Sequence, residues 1–96
     1  MFAWLAKLFR RQPRREDLHV VLYTRAGCHL CDLAWDLLQT AQVRYGFHLA
    51  AVDVDADAAL AAQHGRHVPV VAINDKVRFR GKINPALLLR LLEKRP

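Results

Sequence analysis

Residues 23–34 read YTRAGCHLCDLA, and the setting of the two cysteines in that stretch decides how the whole chain is read. Cys28 and Cys31 are three apart and are the only cysteines present. Before them, His19-Val-Val-Leu-Tyr-Thr24 is a short β-branched and aromatic run, the pattern of a buried strand. Arg25-Ala-Gly27 is a turn. From Cys28 onward Leu30, Leu33, Ala34, Leu37, Leu38 and Ala41 fall at helical spacing, with Asp32, Asp36 and Gln39 on the other side. The pair therefore sits where a strand becomes a helix.

Working outward, Phe47 to Val54 reads as a second strand. Asp55 or Asp57 caps a short helix that runs to His64, with Gly65 as its C-terminal stop. Val68 to Ile73 is a third strand, entered through Pro69. Asn74-Asp75 is a two-residue hairpin turn, and Lys76 to Lys82 is a fourth strand. Its strict alternation places Lys76, Arg78, Arg80 and Lys82 on one face, and Val77, Phe79 and Ile83 on the inner one. Asn84 caps a last helix with Pro85 at its first position and Leu87, Leu88, Leu91 and Leu92 as its apolar face. The order β-α-β-α-β-β-α predicts an α/β domain: a four-stranded mixed sheet with helices on both faces. The first two strands should be parallel through a right-handed crossover, and the last two antiparallel.

A chain of 96 residues with 53% hydrophobic content makes one domain with its own core, so the cysteines are not needed as staples. A bridge between positions three apart closes too small a loop to stabilise much, and two cysteines are not a secreted disulfide framework. The net charge of +6 admits a nucleic acid, a membrane surface, an anionic small molecule, or simply a soluble basic surface. No aromatic residues interleave with the charges of the fourth strand as a stacking platform requires, so no nucleic acid partner is expected. The opening MFAWLAKLF runs into RRQPRR without the charged start or small-residue cleavage site of a secretory signal. No apolar run approaches the roughly 18 residues of a spanning helix. The expectation is a cytoplasmic protein, with a membrane-peripheral alternative.

That alternative comes from the N-terminus. Residues 1–17 differ in composition from the rest and read as a basic extension, with the domain over 18–96. On a helical wheel Phe2, Trp4, Leu5, Leu8 and Phe9 share one arc, and Lys7, Arg10 and Arg11 lie opposite. A helix this short is marginal alone in water. Residues 1–11 are expected to dock on their own domain, on a second copy, or on a membrane surface.

Two cysteines can hold a metal or do chemistry. Zinc takes four ligands and this pair supplies two. His29 lies inside the pair, and His64 and His67 are the remaining candidates; no metal is expected. Asp53, Asp55 and Asp57 resemble the start of a calcium loop, but Ala58 and His64 stand where such a loop needs glycine and glutamate. Redox chemistry fits better. The thiolate is the nucleophile, and the unpaired N–H groups and positive dipole end of a helix start lower a thiol pKa. Arg25, and His29 when protonated, are expected to add to this effect on Cys28. Cys31, one turn further in, can attack a mixed disulfide on Cys28. Cys28 is thus the candidate nucleophile and Cys31 the resolving thiol. The rival reading is a non-catalytic interaction or metal-binding module. Trp35 reads as packing on the flank of the first helix.

From Leu18 to the C-terminus the chain resembles a glutaredoxin-like protein of the thioredoxin superfamily, in particular its short members of unassigned function. The residues that carry the resemblance are Tyr23-Thr-Arg-Ala-Gly-Cys-His-Leu-Cys31, Val52-Asp-Val-Asp55, Val68-Pro69 and Arg80-Gly-Lys82. The resemblance implies a thioredoxin fold and a thiol–disulfide oxidoreductase acting on protein or low-molecular-weight disulfides. It also implies a cis bond between Val68 and Pro69, which shape a substrate groove bordered by Tyr23, Thr24, Arg25 and Gly81. No bound cofactor is implied; glutathione or a reductase supplies the reducing equivalents. The chain departs from true glutaredoxins in two places. Their Gly-Gly pair and following aspartate, which bind glutathione, are replaced by the single Gly81 and by Asn84. Their Pro-Tyr between the cysteines is His29-Leu30. Weak use of glutathione is the expected consequence.

Overall fold

The computed structural model describes residues 14–94. The amphipathic segment 1–11 lies outside the described residues. Among those that are described, the β-branched run His19–Thr24 is strand β1, and it lies inside the sheet. It pairs in parallel with β2 (His48–Asp53), from His19 opposite His48 to Thr24 opposite Asp53. On its other side it pairs antiparallel with β3 (Val70–Ile73). The last strand, β4 (Lys76–Arg80), is antiparallel to β3, which gives the order β2-β1-β3-β4. Asn74 and Asp75 join β3 to β4 with φ of 50° and 68°, the left-handed pair that a tight hairpin requires. Among the described residues three α-helices complete the mixed α/β architecture: α1 (His29–Tyr45), α2 (Ala58–His64) and α3 (Pro85–Glu93).

The core forms where α1 and α3 meet the central strands. Val20, Leu22, Leu38, Val71, Leu88 and Leu92 are almost fully buried in one cluster, with Trp35 half-buried on its flank. Burial of that kind stabilises by about 25 cal/mol per Å² of apolar surface. On α1 the buried row is Cys31, Ala34, Leu38, Ala41 and Tyr45. The expected apolar face was wider. Leu30 and Leu33 remain 45% and 51% exposed, because one row of a helix meets the sheet and theirs is the row beside it.

One further expectation is corrected, and two that hold, the Asp57 cap and the Gly65 stop, gain a specific geometry. First, β4 stops at Arg80, and its alternation is interrupted. Val71 lies opposite Phe79 and Ala72 opposite Val77, so Arg78 is the extra residue of a bulge. Lys82 lies beyond the strand, past Gly81 at φ +78°. The four basic residues therefore do not form one row. Second, the acidic stretch carries two caps. Asp53 accepts from Asp55 N–H at the head of a 3-10 turn over Val54–Ala56, and Asp57 accepts from Ala59 and Leu60 N–H at the head of α2. Asp55 caps nothing and pairs with Arg25 instead. Third, Gly65 ends α2 with a right-handed φ of −56°, so no left-handed stop is needed there.

Arg15, outside the boundary that composition suggested at Leu18, is packed into the domain. It is 5% exposed. Its guanidinium donates to the carbonyls of Leu92 and Lys94 at the end of α3 and to Asp17, while its N–H donates to Tyr45 O.

Candidate active site

The C-terminal end of β1, the start of β3 and the end of β4 lie at one end of the sheet, since Tyr23 pairs with Val70 and Val70 with Arg80. The turn after β1 delivers the chain to the N-terminus of α1, so the cysteines arrive at this same end.

Cys28 is itself the N-cap of α1, with extended dihedrals of −93° and 105°. Its N–H donates to Arg25 O at 3.3 Å, and its carbonyl accepts from Asp32 N–H at 3.2 Å. Its Sγ occupies the place of a capping oxygen and accepts the N–H of Cys31 at 3.2 Å. That N–H is one of those a helix start leaves without an intrahelical partner. The two Cα atoms are 5.1 Å apart and the sulfurs stand at disulfide distance, within the usual Cα range for a bridge. Exposure separates the two: Cys28 is half-buried and Cys31 only 1% exposed.

Val68 and Pro69 precede β3, and the peptide bond between them is cis. Pro69 is buried and Val68 half-buried. Gly81 N–H donates to both His67 O at 3.1 Å and Pro69 O at 2.7 Å, so the end of β4 is tied to this loop. Gly81 has a φ of +78° with open space where a Cβ would stand. Its conformation, rather than crowding, favours glycine. Tyr23 is half-buried and stacks on the buried His64 with ring centroids 4.4 Å apart. Thr24 ends β1 beside it.

Arg25 is placed differently from expectation. Its Nε and Nη2 each lie 2.9 Å from an oxygen of Asp55, and its Nη1 donates to Gly65 O at 3.0 Å. The hydrogen bond and the charge of Arg25 hold the Asp55 carboxyl below its ordinary range, and Asp55 in turn raises Arg25. The guanidinium is neutralised in this pair. At the helix start it is the N–H of Cys31 that meets Cys28 Sγ. Nor do His64 and His67 gather a third donor: among the described residues no group of three His, Cys, Asp or Glu side chains could hold a metal ion.

A family model described as a glutaredoxin-like domain (DUF836) matches residues 19–93. The chain belongs to this glutaredoxin-like family. Among solved structures, this glutaredoxin-like domain is similar to protein Ne2328 from Nitrosomonas europaea, at 26% identity and a TM-score of 0.69 over 85% of this chain and 94% of that one. The structural-genomics target protein XcR50 from X. campestris is 35% identical, with a TM-score of 0.64 over 80% and 99% of the two chains. A mutant thioredoxin from Halobacterium salinarum, 23% identical over 81% of this chain and 74% of its own with a TM-score of 0.64, shares the fold. No protein of curated function matches the sequence.

Two features of the site were missed in the sequence. His64 emerges as the buried partner of Tyr23, and nothing in its spacing signals that. The Leu30 and Leu33 row emerges as surface beside the cysteines: with Ala34, Leu37, Lys82 and Ile83 it lines a groove. Counting from Cys31 in steps of three and four residues, instead of from Leu30, would have separated the two rows. Among the described residues no helix is long and apolar enough to cross a membrane.

Proposed function

We propose that this glutaredoxin-like domain is a thiol–disulfide oxidoreductase, with Cys28 as nucleophile and Cys31 as resolving thiol, acting on protein or low-molecular-weight disulfides. The observation that carries the reading is the asymmetry of the pair: a part-exposed Cys28 at a helix N-cap, receiving the N–H of a buried Cys31. A donor aimed at Sγ and the positive end of the helix both favour thiolate over thiol.

In the reduced state the Cys28 thiolate attacks one sulfur of a substrate disulfide. The S–S bond breaks, a mixed disulfide forms on Cys28, and the first substrate thiolate leaves. Cys31, deprotonated, then attacks Sγ of Cys28. The mixed disulfide breaks, the Cys28–Cys31 bond forms, and the second thiolate leaves. The two substrate thiols gain the two electrons that the dithiol loses. Two glutathione thiols, or the dithiol of a reductase, restore the reduced pair and leave as a disulfide. Tyr23, Thr24, Val68, Pro69 and Gly81 form the surround in which the substrate would lie, and Arg25 stiffens its border through Asp55.

The test uses pure protein and a defined disulfide such as bis(2-hydroxyethyl) disulfide. Cys28→Ser should abolish exchange, and Cys31→Ser should accumulate a mixed disulfide visible by mass as an adduct on Cys28. If the wild-type dithiol reacts with no disulfide faster than free cysteine does, the oxidoreductase reading fails and an interaction module remains.

A further inference from the structure

We infer that the disulfide substrate is an acidic polypeptide with an aliphatic side chain close to its reactive cysteine, docked in the groove between α1 and Ile83; this rests on the oxidoreductase reading above. Leu30 lies between the two cysteines, and Leu33 and Leu37 follow it at i+3 and i+7, so they form one row that leads away from the sulfurs. Ile83, only 6% exposed, closes the opposite wall, with Ala34 at the base. Leu30 and Leu33 are two of only four large hydrophobic side chains left exposed among the described residues. An apolar strip open to water beside a reactive pair points to something that covers it.

The shape and the charges narrow the occupant. The groove encloses about 100 Å³, less than the roughly 150 Å³ cavity that takes up benzene. That is room for one branched aliphatic side chain. Glutathione carries no such group. At the rim Lys82 is exposed. Among the described residues the ion pairs are Arg14 with Glu16, Arg15 with Asp17 and Arg25 with Asp55, and none of them engages Lys82. An exposed cation beside an apolar slot suits a segment that brings carboxylates. The same charge disfavours the chain's own segment 1–11, whose apolar residues come with Lys7, Arg10 and Arg11.

The experiment is a single turnover of the reduced full-length protein with synthetic peptide disulfides. One peptide carries leucine two residues from its cysteine and flanking glutamates; the others replace leucine by serine, or glutamate by lysine. Bis(2-hydroxyethyl) disulfide serves as a featureless reference. The acidic leucine peptide should react at least about tenfold faster than the serine peptide, the scale of a lost aliphatic contact, and faster than the lysine peptide by a margin that shrinks with salt. Leu33→Ser should collapse the leucine-to-serine ratio, and Lys82→Glu should reverse the glutamate-to-lysine ratio. Because each ratio compares two substrates on one protein sample, partial misfolding cancels. Ratios near one in a wild type that still reduces the reference would overturn this inference alone. Failure to reduce even the reference would overturn the oxidoreductase reading with it. If Leu33→Ser accelerates every peptide alike, the groove is covered by the protein's own chain and the inference is wrong.

Discussion

Arg25 grips Asp55 with two nitrogens, each 2.9 Å from a carboxylate oxygen, and reaches Gly65 O with a third at 3.0 Å. The turn that delivers Cys28 is thereby fastened to the 3-10 turn and to the end of α2. The pair is exposed, so its worth should depend on salt and on pH. The folded Asp55 carboxyl is depressed, chiefly by the Arg25 hydrogen bond. Its contribution is therefore present above the unfolded pKa and lost as pH falls through the folded value. Urea melts of wild type and Asp55→Asn should differ above about pH 5 and converge as pH falls below about 4, the ordinary aspartate range. A gap independent of pH would show that the carboxylate charge is not what matters.

Two glycines near the site should respond to alanine for different reasons. At Gly65 the backbone is ordinary, but a Cβ would stand 2.5 Å from Ala61 O and 2.7 Å from Arg25 Nη2. One of those atoms is backbone and cannot swing away. Gly65→Ala should cost about 2 kcal/mol through overpacking and should loosen the Arg25 anchor. Gly81 has open space but a φ of +78°, so Gly81→Ala should cost about 1 kcal/mol through the backbone alone. Denaturant midpoints measure both. Equal losses would mean that crowding at Gly65 is relieved by a small shift of α2.

In the reduced protein the two thiols should differ sharply toward a small alkylating agent. Cys28 is half-buried at the N-cap, whereas Cys31 is 1% exposed. Mass spectrometry after a short iodoacetamide pulse should find the label on Cys28 first. The rate should rise with pH about a midpoint below the ~8.5 of a free thiol. Faster labelling of Cys31 would exchange the two roles.

At the other end of the domain Tyr45 donates to Glu93 at 2.6 Å, joining α1 to α3. Burial first, then the hydrogen bond to Glu93, raises the phenol above its ordinary pKa. A raised pKa means that the contribution is complete below the unfolded value and is lost as pH rises through the folded one. Tyr45→Phe should cost about 1 kcal/mol near neutral pH. The difference from wild type should close above about pH 10. Chemical denaturation at pH 7 and pH 11 measures it.

Much of this was legible in the sequence, and the exceptions share a cause. Strand β1, the turns and the caps of α2 and α3 are local: Thr24, Asn74, Asp57 and Asn84 are recognised by neighbours two or three residues away. The Cys28–Cys31 junction is local too. What could not be read depends on partners far along the chain. Arg15 meets Leu92 and Lys94, Arg25 meets Asp55, and Tyr23 meets His64. The bulge at Arg78 depends on the facing step between Val71 and Ala72, so strict alternation within β4 itself could not disclose it. For the same reason the choice between the Leu30 and Cys31 rows of α1 is made by the sheet, and hydrophobicity alone cannot decide it.

Asn84 supplies the last prediction. Its Oδ1 accepts from Ala86 N–H at 3.0 Å and Leu87 N–H at 3.2 Å, capping α3. Glutaredoxins, which this chain resembles, place an aspartate at the corresponding corner, where it takes part in binding glutathione. Aspartate can make both cap bonds and adds a negative charge at a helix N-terminus, which is favourable by about 0.3–1 kcal/mol. Asn84→Asp should therefore be at least as stable as wild type, while offering the ammonium group of glutathione a charged partner. Regeneration of the Cys28–Cys31 dithiol by glutathione should quicken in the variant by several-fold, the scale of one exposed charge contact. Regeneration by dithiothreitol, which has no ammonium group, should not change. Stopped-flow measurement of both reductions on the oxidised protein decides the matter: an equal response to the two reductants would place glutathione away from Asn84.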